Sequence, residues 1–310
     1  MLEKKLKILI EILGTPRRSS EEYLFHCPFC KHHKPKFSVN LSKGAKCWVC
    51  NWATPRLYRV IKKLGTRQQR SDWQELDGDI DIGDFSANLF ASKPEQPETT
   101  TTLPKEFVSL ANKSLPRSAI FPLKYLKKRG ITKEDILYWK IGYCPQGDYI
   151  GRIIIPSFNM DGKINFFVAR TYTNQWPKYK NPPTHRDIVF NEMWIEWNKP
   201  IILVEGAFDA IKSGANSIPL LGSSLREDSK LFQAIVQNSP PVYLALDSDA
   251  RDKAAYIARR LMEYGVELYK IDLKEYNDVG EMTKEEFTSL LEETVPLESE
   301  LELISQALFE

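Results

Sequence analysis

The sequence predicts a multidomain α/β protein. In chain order it should hold a small cysteine-bearing β-ribbon, a basic mixed α+β segment and a parallel-sheet segment. Three observations lead there. Two C-x-x-C pairs bracket short alternating runs within residues 25–52. Basic and acidic blocks succeed one another along the chain. From residue 201 onward, apolar runs of strand length alternate with helical periodicity, the pattern of right-handed crossovers in a parallel sheet.

Each element follows from local chemistry. Lys4, Lys5 and Lys7 alternate with Leu6, Ile8, Leu9 and Ile10, giving an amphipathic helix over 3–13 that Gly14 and Pro16 stop. Phe37-Ser-Val-Asn-Leu41 reads as ribbon, and Pro55 opens a helix to Leu64. Residues 66–104 lose periodicity and have linker composition. A helix spans Leu123 to Arg129, ended by Gly130, and Thr132 with Asp135 forms a capping box for the next. Strands at 151–156 and 164–171 flank the turn Asn159-Met-Asp-Gly162. The alternating region predicts strands at 201–204, 217–221, 242–246 and 266–271, with helices from 206, over 226–237 and over 250–264. The expected domains are 1–65, a linker at 66–104, a basic segment at 105–200, the parallel-sheet segment at 201–282 and an acidic helical tail at 283–310.

The net charge of +2 conceals strong asymmetry. Residues 1–65 hold 14 Lys/Arg against 4 Asp/Glu, and residues 99–200 hold 16 against 8. Residues 72–98 hold 1 against 8, and residues 281–310 hold 1 against 9. Paired basic blocks on one chain suggest a nucleic-acid partner. No apolar run approaches the roughly 18 residues of a membrane span, and no signal-peptide pattern opens the chain. A cytoplasmic protein without membrane partners is expected.

Cys27-Pro-Phe-Cys30 and Cys47-Trp-Val-Cys50 can each grip one side of a tetrahedral ion, and sixteen intervening residues can bring them together. Thiolates at this spacing suit one structural zinc ion. Two disulfides are the competing reading, disfavoured in a cytoplasmic chain. The odd cysteine, Cys144, is expected to be a buried or inert thiol. Around the pairs lie Phe29, Phe37, Trp48 and Trp52 with Lys31, Lys34, Lys36, Lys43 and Lys46. Aromatics can stack bases while lysines neutralise phosphates. Phe29 and Phe37 are expected in the core, with Trp48 and Trp52 open to either role.

Two apolar runs end abruptly in carboxylates. Ile201-Ile-Leu-Val204 runs into Glu205 and Asp209, and Tyr243-Leu-Ala-Leu246 into Asp247 and Asp249. Asn277-Asp278-Val-Gly280-Glu281 adds a third acidic edge. Acids at the carboxyl ends of parallel strands sit where such sheets bind ligands. Gathered together they repel one another unless a cation lies between them. Five carboxylates, Glu205, Asp209, Asp247, Asp249 and Asp278, suggest two magnesium or manganese positions. No G-x-x-x-x-G-K-[ST] occurs, so a P-loop engine is excluded. Gly222-Ser-Ser after a strand offers weak phosphate-contacting potential.

At these residues the chain resembles a Toprim domain, with Val204-Glu-Gly-Ala-Phe-Asp209 as its glutamate motif and Asp247-Ser-Asp249 as its paired-aspartate motif. Tyr125-Leu-Lys-Lys-Arg129-Gly-Ile, Gly151-Arg152-Ile-Ile-Ile-Pro156, Asp161 to Arg170 and Pro177-Lys178-Tyr-Lys-Asn181 are similar, in order, to the basic half of DnaG-type primase cores. The resemblance covers most of residues 20–282. It implies a DNA primase that joins ribonucleoside triphosphates on single-stranded DNA and forms an RNA/DNA primer duplex. It implies catalysis at Glu205, Asp247 and Asp249, and nucleotide or nucleic-acid contacts from Arg152, Arg170, Lys178 and Asn181. A Toprim nuclease and a non-catalytic zinc and DNA-binding replication module are the rivals.

Three departures stand out. Cys30 occupies a position where many bacterial members have His. Gly280 stands where the last acidic motif usually has a second aspartate. About thirty residues follow the core where bacterial primases carry a helicase-docking domain. That brevity would suit a bacteriophage or mobile-element protein, with a replicative helicase or polymerase as a candidate partner.

Overall fold

The computed structural model describes residues 2–19, 22–77 and 100–297. Residues 78–99 of the expected linker and the end of the tail lie outside them. The chain forms two compact units. The first is built mainly from residues 2–77 and takes in 236–239 and 260–266, and the second holds the rest.

In the first unit, helix α1 (Leu2–Leu13) precedes five antiparallel strands that pair in chain order: β1 (Arg17–Ser19), β2 (Glu22–Phe25), β3 (Phe37–Asn40), β4 (Gly44–Cys47) and β5 (Ala53–Thr54). Helices α2 (Tyr58–Leu64) and α3 (Arg67–Asp77) follow. The core joins Ile8 and Leu9 of α1, Phe25, Phe37 and Val39 of the sheet, and Val60 and Ile61 of α2. Pro55 lies just before α2, three residues ahead of its first turn.

Helix α3 corrects the linker expectation. Its sequence offers only Trp73 and Leu76 as apolar residues, too few for a periodic signal. Its start is nonetheless specified by a reciprocal cap. The Thr66 N–H donates to Gln69 Oε1 (2.9 Å), and the Gln69 N–H donates to Thr66 Oγ1 (3.3 Å). Trp73, 1% exposed, then anchors the helix in the core.

The second unit holds two sheets. One is antiparallel: β6 (Val108–Ser109), β7 (Gly142–Cys144), β8 (Arg152–Phe158) and β9 (Ile164–Thr171). Helices α4 (Ile120–Lys128) and α5 (Lys133–Tyr138) are inserted between β6 and β7. The Thr132/Asp135 capping box is present in full, and Cys144 is buried among Ile154, Phe167 and Ala169. Burial pushes the Cys144 thiol up to about 12, which keeps it protonated and inert.

The other sheet is parallel. Its strands are β10 (Ile201–Val204), β11 (Ser217–Pro219), β12 (Val242–Ala245) and β13 (Leu268–Lys270), in spatial order β11-β10-β12-β13. Helices α6 (Ala207–Ser213), α7 (Lys230–Asn238) and α8 (Arg251–Glu263) make the crossovers, and α9 (Lys284–Glu293) follows. After β10 the chain moves to one side, and after β12 to the other. The carboxyl ends of β10 and β12 therefore flank a topological switch point, where open parallel sheets leave a crevice. Glu205 and Asp247 follow those two strands. Among the described residues, no helix is long and apolar enough to cross a membrane.

Candidate active site and metal centre

The four cysteines of the first unit converge. Their sulfur atoms all lie within 4.8 Å of one another. Cys27 and Cys50 are 3.9 Å apart and Cys30 and Cys47 3.8 Å. A zinc tetrahedron with Zn–S bonds of about 2.3 Å has edges of about 3.8 Å, so the donor set fits zinc. A disulfide needs about 2.05 Å. The Val49 and Cys50 N–H groups point at Cys47 Sγ (3.4 and 3.5 Å), ready to steady a thiolate. Burial pushes the Cys27 and Cys47 thiols upward, so without a cation they stay protonated.

The aromatics around this cluster are mostly structural. Trp52 packs 4.2 Å from Phe29 and 5.7 Å from Phe37, centroid to centroid. Trp48 is also buried. Lys36 departs from the phosphate-contacting expectation. It is buried, its amine donates to the Tyr264 carbonyl, and burial pushes its pKa down to about 7.

The second unit contains a cavity of about 560 Å³ over the switch point. Glu205 and Asp247 reach it from the ends of β10 and β12, and Asp209 from the first turn of α6. Asp278 and Glu281 come from the segment after β13. Arg129, Arg170, Lys178 and Arg186 bring four cations to the same space. Acids thus come from the parallel-sheet segment, and cations from the antiparallel sheet, the segment after β9 and the end of α4. Sequence reasoning missed Arg129 and Arg186, which no local pattern distinguishes from neighbouring basic residues.

The acids are electrostatically crowded. Burial, followed by repulsion from Asp209, Glu205, Asp278 and Asp249, pushes Asp247 up to about 7. Burial and Asp278 push Asp209 up to about 6, against the Gly206 N–H and two arginines. The Gly206 N–H donates to Asp209 Oδ2 (2.9 Å), so one oxygen of Asp209 also caps α6. Asp278 Oδ1 is buried without a hydrogen-bond partner. Lys253 donates to both oxygens of Glu205 (2.8 and 3.0 Å). Raised carboxylates and an orphaned oxygen fit a divalent cation. Among the described residues, however, only the four thiols bring three or more donors within 4.8 Å. The carboxylates instead share the lining of one cavity.

The cations are held in place. Arg170 donates to Tyr125 Oη (2.8 Å) and Tyr179 Oη (2.7 Å). The guanidinium groups of Arg129 and Arg170 lie 5.0 and 5.1 Å from the centre of the Phe208 ring. These contacts fix both cations before any anion arrives.

Two predicted site residues are placed differently. Asp249 is exposed and does not line the cavity. Arg152 is 3% exposed and donates to the backbone carbonyls of Pro177 (2.7 Å) and Lys178 (3.4 Å). It therefore braces the backbone of the cavity wall beside Lys178. Asn181 lines the cavity, and its Oδ1 accepts the Ala169 N–H (3.2 Å). Gly222 also lines it, after β11.

Gly280 is packed against the acids. A Cβ there would stand 2.8 Å from Asp209 Oδ1, 3.0 Å from Asp278 Oδ1 and 3.3 Å from Arg129 Nη2. Gly280→Ala should therefore displace a carboxylate, destabilise the fold by roughly 1–3 kcal/mol of overpacking and lower activity at this site. Gly280→Asp should be worse, since it adds charge to a crowded ring. Steady-state rates of both variants check this, and a faster Asp variant would contradict it.

No protein-family model matches the chain. It is 25% identical over 326 residues to a DNA primase of Staphylococcus epidermidis, covering 86% of this chain and 54% of that protein. It is 27% identical over 283 residues to a DNA primase of Rickettsia conorii, covering 75% and 46%. The chain thus spans about half the length of the curated relatives it matches. Among solved structures, a DnaG primase catalytic domain bound to single-stranded DNA is similar in fold, with TM-score 0.50 and 20% identity over 60% of this chain and 75% of that one. The E. coli primase catalytic core gives 0.50 and 21%, over 60% and 77%.

Proposed function

We propose that this chain, a DnaG-type primase by sequence and fold, synthesises short RNA primers on single-stranded DNA. The observation that carries the reading is one cavity joining strand-end carboxylates to pre-positioned cations. In this reading residues 105–200 are the basic subdomain and 201–282 the Toprim subdomain, working in the cytoplasm of a bacterium or a phage-infected cell.

Glu205, Asp209, Asp247 and Asp278 would hold magnesium or manganese, with Asp249 at the rim. Bound there, the metals would polarise the attacking hydroxyl and neutralise charge developing on the phosphates. Arg129, Arg170, Lys178 and Arg186 would bind the triphosphate and the template backbone. The 3′-oxygen of one ribonucleotide bonds to the α-phosphorus of the next. The bond to the β-phosphate oxygen breaks, pyrophosphate leaves, and the hydroxyl proton passes to water. Tyr125 and Tyr179 orient Arg170 for this step, and Phe208 screens the guanidinium pair from water on one side. Lys253 would yield Glu205 when metal binds.

The test is incubation with single-stranded DNA, magnesium or manganese, and labelled ribonucleotides. Template-dependent short RNA supports the reading. Shortened DNA would indicate a nuclease, and binding with neither product a non-catalytic module.

A pH dependence follows. Metal binding needs ionised carboxylates, and protons compete below about 7 at Asp247 and about 6 at Asp209. The magnesium concentration for half-maximal synthesis should rise about tenfold per pH unit below 7, and more steeply below 6. Magnesium titrations at pH 6, 7 and 8 check this, and a pH-independent requirement would contradict it.

A further inference from the structure

We propose that Trp176 is a stacking platform for a base of single-stranded nucleic acid approaching the cavity, a role that rests on the template-binding reading above. Trp176 is 90% exposed, more than any other large apolar side chain among the described residues. An indole left in water forgoes a large burial gain. Isolated exposed apolar residues are ordinary, so exposure alone assigns nothing. The mounting and the setting do.

The backbone beside Trp176 is fastened. The buried Arg152 guanidinium donates to the carbonyls of Pro177 and Lys178. The Thr171 N–H donates to the Lys178 carbonyl (3.0 Å), and the Lys180 N–H to the Ala169 carbonyl (2.9 Å). A buried charge spent on holding this segment is costly unless its position matters. The indole thus projects from an anchored edge of the antiparallel sheet.

The setting is that of a single-strand binding surface. Lys178 lines the cavity and is two residues from Trp176, a chain distance of at most about 7 Å. Lys180 follows, its amine fixed by the Asp148 carbonyl (2.8 Å). A base stacked on the indole leaves its phosphate within reach of Lys178. Aromatic faces interleaved with cations bind single strands with little regard to sequence. The occupant is thus a base of the strand, and not an apolar protein surface, which would gain nothing from the neighbouring ammonium groups.

The experiment measures anisotropy of a labelled oligothymidylate, and of an equally long abasic strand, against the full chain over a salt series. Trp176→Ala should weaken oligothymidylate binding roughly 5- to 100-fold, the range that loss of one base–aromatic stack implies. Trp176→Phe should retain most of the affinity. The abasic strand should bind wild type and the Ala variant alike. The salt slope should not change, since no phosphate contact is removed. The melting temperature should not change either, since truncation of an exposed side chain leaves no cavity.

The proposal is overturned if Trp176→Ala binds oligothymidylate as wild type does. It is also overturned if the variant still prefers the based strand to the same extent, or if affinity for both strands falls together. Unchanged DNA binding with lost capture of a replication protein would make Trp176 a protein-docking residue instead. Wild type that binds no single-stranded DNA would sink the template reading and this proposal together. Wild type and variant that bind and prime equally would sink only the proposal.

Discussion

Asp247→Asn should abolish primer synthesis and at the same time raise the melting temperature of the metal-free protein at pH 8. The two effects share one cause. Asp247 is pushed up to about 7 by burial and by four neighbouring carboxylates. In an unfolded chain an aspartate titrates near 3.9. Below about pH 4 it is neutral in both states and costs nothing. As pH rises toward 7 the unfolded chain ionises freely while the folded chain resists, so folding loses stability until the folded carboxylate has also ionised. Asparagine removes that cost. Discounted for the part of the carboxylate that solvent reaches, the gain is about 1 kcal/mol, or roughly 2–4 °C. It should vanish near pH 4.

Saturating magnesium should reverse the order, because a ligand that binds only the folded state stabilises it by mass action. Synthesis should fall by at least about 10²–10³-fold, as expected for a lost electrostatic contributor to the transition state. Thermal melts with and without magnesium at pH 4 and 8, paired with primer assays, test all of this. An asparagine variant less stable than wild type at pH 8 without metal would show that Asp247 is held by a favourable partner and not by crowding.

The second large effect concerns the thiol cluster. A structural zinc site contributes roughly 10–16 kcal/mol of apparent binding energy, as much as the whole stability of a typical domain. Cys47→Ala should therefore reduce bound zinc from one per chain to none. It should unfold residues 22–77 while the second unit keeps its fold. Metal analysis and limited proteolysis report the two outcomes separately, with new cleavage confined to the amino-terminal residues. Chelation of the wild type should reproduce the pattern, and acid should too, since protons and zinc compete for the thiolates. Cys144→Ser should leave the zinc content at one. Unfolding by a reductant, with chelation harmless, would instead point to disulfides.

The elements most legible in the sequence were those with local, reciprocal signals. The Thr132/Asp135 cap and the strand-end acids Glu205 and Asp247 are of this kind, since an apolar run ending in a carboxylate marks both the strand and the edge of the cavity. Reading Asp249 with Asp247 assumed an extended chain, in which alternate residues share a face. The strand in fact ends at Ala245, and the Ala250 N–H donates to the Asp247 carbonyl (2.9 Å), closing a turn that leaves Asp249 exposed. Arg152, which the resemblance assigned to nucleotide or nucleic-acid contact, is buried in the structure. The Pro177 and Lys178 carbonyls that bury it lie 25 and 26 residues onward. Arg129, Phe208 and Arg170 meet only through tertiary packing, which no local pattern encodes.

Helix α3 settles a practical question of where the amino-terminal unit can be severed. A fragment ending at residue 65 would lack α3 altogether and leave the seat of the Trp73 indole open to water. That exposed apolar seat would favour self-association over solubility. A fragment carried through Asp77 keeps the Trp73 plug, although Lys36 and Trp48 lose their contacts with Tyr264. One indole and two side chain–backbone hydrogen bonds thus separate a piece that keeps its core closed from one that does not.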